Sequence, residues 1–286
     1  MSIEKFGNHT YVDIDYNGAN LGCIDTERGL VLIDTPFLPD EIEKWQETVT
    51  KLCNKKITYV INTHHHFDHV LGNFAYSVPV ISHQAAYEEI SKPDGSMCHF
   101  FVSKRKDISD DIKEQIYRIP QRPPTITFRD RMWLHLGDVN LELMHTGGHA
   151  ESCIYIHVIE DRALFTGDVF LSNSHPFMGQ ANFAVWIEAL ERTLEMDADF
   201  IIAGHGEIRG KDEVRRMIKF LQIIWDRVQE LRNDGTSREK AIEQVHGHLD
   251  YYPLGPGEEH IQTMLFDEAV GKLYDQMGKA PFRSEQ

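Results

Sequence analysis

The stretch ITYVINTHHHFDHVLGN, Ile57 to Asn73, constrains this chain more than any other. A short apolar run meets His64, His65, His66, Asp68 and His69 directly. A run of this kind, rich in β-branched and aromatic residues, reads as a buried strand. Residues leaving a strand keep its alternation, so side chains two apart face the same way. His64 and His66 then share one side, and His65 turns to the other. A turn past Phe67 brings Asp68 and His69 round to join the first pair. The result is an H-x-H-x-D-H pattern at a strand end. The alternative is a polar loop that is rich in histidine by chance.

That alternative weakens when the rest of the chain is read. His149 stands in HTGGHAES, where the strand VNLELMH stops at two glycines. Asp168 ends LFTGD, and His205 stands in IIAGHG. Each follows an apolar strand, and each has a glycine beside it that allows a tight turn. Several strand ends delivering such ligands to one edge of a sheet would build a shared site. The set is His64, His66, Asp68, His69, His149, Asp168 and His205. Tetrahedral zinc takes about four ligands, so this is too many for one ion. It suits two metals that share a bridging carboxylate and a bridging hydroxide.

The surrounding pattern is mixed α/β. TYVDIDY, NLGCIDT and LVLIDT read as strands, LPDEIEKWQETVTKLC as a helix, and VPVIS as a strand before a helix from Gln84 to Ser91. PQRPP is a stiff break. TITF, MWLHL, VNLELMH, CIYIHVI, ALFTG and DFIIAG follow as strands, and AVWIEALERTLE places Trp186, Ile187, Leu190 and Leu194 on one helical face. From Lys211 the chain turns almost wholly helical. Val214, Met217, Ile218, Leu221, Trp225, Val228 and Leu231 form an apolar stripe. Thr236 or Ser237 is an N-cap, with Glu239 as a capping-box partner for Thr236. A last helix runs from about Glu258 to Met277. We expect a body over 1–210 and a helical region over 211–286.

The formal charge of -16 argues against a nucleic-acid partner. The cluster KRK at Lys104 to Lys106 is followed at once by DISDD and reads as a solvated loop. Cys23, Cys53, Cys98 and Cys153 are scattered without a CxxC pair and read as buried small hydrophobes. No apolar segment approaches the ~20 residues a bilayer span needs, and no signal peptide is evident. The expected setting is the cytoplasm, with a small-molecule substrate and no membrane.

The set THHHFDH, TGGH, FTGD and AGHG resembles the metallo-β-lactamase fold superfamily, over roughly residues 6 to 210. The resemblance implies an αββα sandwich with the site along one edge. It implies that His64, His66 and His149 hold one metal, that Asp68, His69 and His205 hold a second, and that Asp168 bridges. The aspartate at the third motif is found in glyoxalase II, lactonases and other dinuclear hydrolases rather than in dedicated β-lactamases. The basic residues that glyoxalase II proper uses for glutathione have no matching set in the helical tail. The implied cofactors are two divalent ions, zinc first, with iron or manganese also compatible with the donors. The implied chemistry is attack of a metal-bridging hydroxide on a small ester, thioester, lactone or amide, with Asp68 as proton shuttle. The competing readings are a mononuclear iron enzyme similar to persulfide dioxygenase and a non-catalytic ligand-binding member.

Weaker signals complete the reading. Asp34, in VLIDTP, either orients a ligand or closes a turn. His65 is a hydrogen-bonded neighbour of the ligands. His175 is a loop histidine, and His145 is structural. The segment from Lys92 to Pro124 and the tail with its PLGPG loop are expected to cap the site through Phe100, Phe101, Tyr251 and Tyr252. The alternatives for the tail are simple packing on the body and a homodimer contact.

Overall fold

A computed structural model describes residues 3–92, 97–254 and 259–277. Two sheets carry the fold. One has seven strands in chain order: β1 (Glu4–Phe6), β2 (Thr10–Asp13), β3 (Leu21–Thr26), β4 (Gly29–Ile33), β5 (Ile57–Ile61), β6 (Val80–His83) and β7 (Ile126–Phe128). The other runs β12-β11-β10-β9-β8, from β8 (Arg131–His135), β9 (Asn140–His145), β10 (Ile154–Val158), β11 (Ala163–Phe165) and β12 (Phe200–Ile202). The helices are α1 (Pro39–Cys53), α2 (Phe67–Val70), α3 (Gln84–Ile90), α4 (Cys98–Lys104), α5 (Asp110–Tyr117), α6 (Phe183–Glu195), α7 (Lys211–Asn233), α8 (Arg238–Val245) and α9 (Glu259–Gln276).

Period-two alternation explains the layering. Val31 and Ile33 of β4 point into the space between the sheets, where they meet Leu141, Leu143, Ile154 and Ile156. Leu30 and Leu32 point the other way, onto Trp45 and Val49 of α1. Both faces of β4 are therefore covered, and its run GLVLI is buried throughout. The second sheet repeats the arrangement. Tyr155, Leu164 and Ile201 leave the shared core and pack with Phe183, Trp186 and Leu190 of α6. The order of layers is helix, sheet, sheet, helix, as the motifs implied.

The C-terminal helices close over α6. The buried face of α7 is Val214, Met217, Ile218, Phe220, Leu221, Ile224, Val228 and Leu231. Trp225, placed on that stripe from the sequence, lies at its edge and is only partly buried, while Phe220 and Ile224 take the inner positions. The N-cap of α8 is Ser237, whose hydroxyl accepts from Lys240 N–H. This rules out a capping box through Glu239, which needs Thr236 at the cap. Of the PLGPG loop, Gly255 to Gly257 lie outside the described residues. No described helix is long and apolar enough to cross a membrane.

Parallel pairing sets the working edge. β4 pairs β5 in parallel and β11 pairs β12 in parallel, so the carboxyl ends of all four carry their loops to the same side of each sheet. Backbone bonds join the two sheets there: Ile154 N–H donates to Thr63 O at 2.9 Å, and Asn20 N–H to Gly204 O at 2.7 Å.

Candidate metal centre

Three strand ends and one turn converge at that edge. His64, His66, Asp68 and His69 follow β5, His149 lies in the β9–β10 turn, Asp168 follows β11 and His205 follows β12. The close approach requires glycine at Gly204, where a Cβ would lie 2.0 Å from Asp168 Oδ1. Two sets form, His64, His66, His149 with Asp168, and Asp68, His69 with His205; within each the potential ligand atoms lie within 4.8 Å of one another. Asp168 stands between them. Its Oδ2 is 3.6 Å from His149 Nε2 and 3.8 Å from His64 Nε2. Its Oδ1 is 3.2 Å from His69 Nε2 and 3.3 Å from His205 Nε2. Asp68 Oδ2 lies 3.3 Å from His205 Nε2.

Residues 16–205 match the family profile described as the Metallo-beta-lactamase superfamily. The chain belongs to that superfamily. Among its curated relatives, the linear primary-alkylsulfatase of Pseudomonas sp. (strain ATCC 19151) is 22% identical over 259 residues, 78% of this chain and 49% of that protein. The acyl-coenzyme A thioesterase MBLAC2 of Homo sapiens is 25% identical over 165 residues, 55% of this chain and 59% of that protein. The chain thus spans about half the length of these relatives. Among solved structures, the stereoselective inverting sec-alkylsulfatase Pisa1 from Pseudomonas sp. superposes with a TM-score of 0.74 at 16% identity, over 99% of this chain and 50% of that one. At that identity the likeness is one of fold.

The seven side chains of this superfamily member fit metal ions on their own chemistry. His149 Nε2 and His66 Nδ1 face each other at 3.0 Å, and His69 Nε2 and His205 Nε2 at 3.3 Å. Imidazole nitrogens converging this closely share either a proton or a cation. His64 Nε2 is buried with no hydrogen-bond partner among the described residues, as a lone pair kept for a metal would be. Supporting groups fix the rings. His69 Nδ1–H donates to Asp34 Oδ2 at 2.8 Å, and Asp34 also accepts from Thr63 N–H and the Thr63 hydroxyl at 2.8 and 2.7 Å. Asp34 is thus the orienting acceptor, held at φ 57°, and its bond aims His69 Nε2 at the centre. His65 turns away from the set, as alternation requires, and its Nδ1 shares a 2.7 Å hydrogen bond with the Ser152 hydroxyl. Trp186 Nε1–H donates to Val169 O at 2.8 Å, with its ring 5.3 Å from that of His149.

The two sets differ in charge when no metal is present. Burial leads in holding His66 neutral, with its pKa pushed down to about 4, and takes His149 down to about 3. Burial opposes the charge on His205 as well, yet Asp168 and Asp68 outweigh it and push that pKa up to about 10. His69 is raised well above its ordinary value, against the same burial, by Asp168, Asp34 and Asp68. One set is three neutral imidazoles; the other holds protons among carboxylates.

A cavity of about 200 Å³ opens over the cluster. His66, Asp68, Asp168 and His205 form its floor, and Phe67, Phe101, Leu171, Phe177 and Ile261 line it apolarly, with Arg105, Ser174, His175 and Gln262. His175, read from sequence as an ordinary loop histidine, is instead buried between Phe220 and Phe266, with ring centroids at 5.7 and 5.8 Å. Its Nδ1–H donates to Pro176 O at 3.0 Å. His145 is structural, stacked on His83 at 3.9 Å. Of the four expected cap residues only Phe101 lines the cavity. Phe100 points out, 38% exposed, and Tyr251 and Tyr252 pack on Phe220 beneath Arg216. Sequence reading missed Arg105, Phe177, Ile261 and Gln262. Phe177 follows two residues after His175, so the SHPF loop was the available signal; the others lie in the segment from Lys92 to Pro124 and in the tail, both expected over the site, but nothing singled them out within those segments.

Proposed function

We propose that this superfamily member is a hydrolase that works with two divalent metal ions and cleaves a thioester. The observation that carries the dinuclear reading is Asp168, with one carboxylate oxygen turned to each set of ligands. His64, His66 and His149 would hold one ion, Asp68, His69 and His205 the other, and Asp168 both. The nitrogen-rich donors suit zinc. When bound, such ions polarise a carbonyl and bring the pKa of a coordinated water near neutrality.

The remaining work falls to the chain's own residues. Phe67, Phe101, Leu171, Phe177 and Ile261 exclude water and hold the acyl group. Asp68 lies on the cavity floor beside His205 and is placed to carry a proton to the leaving sulfur. In the net reaction, water adds hydroxyl to the acyl carbon, the C–S bond breaks, and the sulfur takes the proton, giving a carboxylic acid and a thiol. Similarity to a curated acyl-coenzyme A thioesterase supports the thioester class. The intact second set, backed by Asp34, speaks against a mononuclear iron enzyme.

A second reading, sulfate-ester hydrolysis, is favoured by the superposition on Pisa1, which extends over the C-terminal helices. One experiment tests both. Protein purified without added metal is analysed for metal content, then assayed on a thioester, an ester, a lactone, a β-lactam and an alkyl sulfate. About two ions per chain and fastest turnover on the thioester are expected. Sulfate release without thiol release would select the second reading.

A further inference from the structure

Two cavities meet at Arg105. The first, of about 200 Å³, lies over the metal ligands; the second, of about 590 Å³, opens beside it, and Arg105 and Ile261 line both. Arg105 is the one Lys or Arg among the described lining residues of the first. Its guanidinium is fixed rather than loose. Nε–H and Nη2–H donate to Asp107 Oδ1 and Oδ2 at 2.8 and 2.6 Å, the Phe37 ring lies 6.0 Å from Cζ, and the side chain is 15% exposed.

Among its described lining residues, the second cavity carries more basic than acidic side chains, in a chain of formal charge -16. Lys104, Arg105, Lys106 and Lys113 line it, against Asp110 and Glu259. Lys113 is mostly covered, while the Asp110 carboxylate 3.8 Å away stands fully in water, where screening weakens its hold. Neither Lys104 nor Lys106 makes an ion pair with a described residue. The run KRKDISD, which reads as a solvated loop in sequence, is therefore folded against the mouth of the site.

Size divides the substrate between the two spaces. Ligand pockets for drug-sized molecules run to roughly 300–1,000 Å³, so the first cavity holds an acyl group and its scissile bond but not a large carrier. A carrier must pass Arg105 into the second. Lysine and arginine there recognise phosphate through charge-assisted contacts; the Nε/Nη2 fork of Arg105 is held by Asp107, which fixes its guanidinium charge at the boundary between the two cavities. We propose that the second cavity is a phosphate subsite for the leaving half of the substrate, read by Arg105, so that the natural substrate is a thioester whose thiol carries phosphate groups. This rests on the thioester reading above. The competing role for Arg105 is to pin the loop between α4 and α5 through Asp107.

The test compares butanoyl-coenzyme A with the uncharged thioester of butanoic acid and N-acetylcysteamine, in metal-loaded parent, Arg105→Ala, Arg105→Lys and Lys106→Ala/Lys113→Ala. The ratio of kcat/KM between the two substrates is expected to fall about tenfold in Arg105→Ala, through KM on the phosphorylated one. Arg105→Lys should recover part of it, and the double lysine variant should fall less far. An equal loss on both substrates, or a loss on neither, overturns the subsite. Thermal melts run alongside, and if Arg105→Ala does not fold, the double lysine variant decides by the same ratio. If the parent cleaves neither thioester, the thioester reading is what has failed. The subsite is then judged by equilibrium binding of adenosine 3′,5′-bisphosphate: about tenfold weaker binding in Arg105→Ala sustains it, and equal binding overturns it.

Discussion

The floor of the cavity and its wall are built on different plans. On the floor, six of the seven candidate ligands follow β5, β11 and β12, whose carboxyl ends parallel pairing has brought to one edge, the seventh, His149, comes from the β9–β10 turn, and partners such as Asp34 and Trp186 hold the groups around them. Around the wall, Phe101 comes from α4, Arg105 from the residue after it, Phe177 from the loop after Asp168, and Ile261 and Gln262 from α9. The difference teaches which part of the molecule is fixed by the fold and which part varies on top of it. Sheet register leaves little freedom to the floor, whereas the wall is made by segments whose meeting depends only on how they pack.

The comparison is most sharply tested at Asp168, the group shared by both halves of the floor. Asp168→Ala is expected to lower metal content below two ions per chain and turnover by on the order of 10³-fold or more. Full loading with normal turnover would remove the bridging role and with it the unity of the floor.

How legible each plan was in the sequence follows from the same contrast. The ligands recur as short motifs at the ends of apolar runs, so H-x-H-x-D-H, TGGH, FTGD and AGHG located all seven positions that the structure brings together. The layering came with the family resemblance those motifs carry, and the structure gives its physical reason: Val31 and Ile33 bury one face of β4 against the other sheet, Leu30 and Leu32 the other face against α1. The wall was not legible. Phe100 and Phe101 look alike in sequence, and only the way α4 packs decides that Phe101 stacks near Phe67, at 6.2 Å, while Phe100 faces water. Tyr251 and Tyr252 follow the same logic, since Phe220 offers them an aromatic surface away from the cavity.

A wall residue can also matter to the fold more than to the floor. Burial pushes the His175 pKa down to about 4. The unfolded chain takes up this proton near 6.5, the folded one only near 4, so the stability tied to a neutral His175 is present above pH 6.5 and is lost as pH falls toward 4. That gap corresponds to about 3 kcal/mol. His175→Phe, which keeps a ring between Phe220 and Phe266, should show a shallower fall in Tm between pH 6.5 and 4 than the parent. Parallel curves would place the proton uptake at other histidines.

Second-layer support on the floor should act through metal affinity. Asp34→Ala removes the acceptor for His69 Nδ1 and is expected to weaken binding of the second metal by about 10–100-fold. His65→Ala, one turn of the alternation away, should keep both ions. Competition with a chelator reads the two variants side by side. Metal lost from His65→Ala and kept in Asp34→Ala would reverse the assignment of floor and support.

The smallest effects belong to the wall, and they differ in kind. Phe101→Ala and Ile261→Ala each remove an apolar side chain that touches the cavity, without touching a ligand. Burying such a side chain against a substrate is worth roughly 1.5–3 kcal/mol when complete, and less here because the cavity is open. A change of about threefold to tenfold in the relative rates on short and long acyl thioesters is therefore expected, at unchanged metal content. Phe100→Ala, Tyr251→Ala and Tyr252→Ala serve as controls from neighbouring positions that do not line the cavity. They should leave the acyl-length profile alone, although Tyr252→Ala, cut from a buried cluster, should lower Tm. If Phe101→Ala, Ile261→Ala and the controls all kept the parent's profile, the wall would have to be sought in the loop from His175 to Phe183; if only the controls shifted it, Phe100, Tyr251 and Tyr252 would be the wall instead.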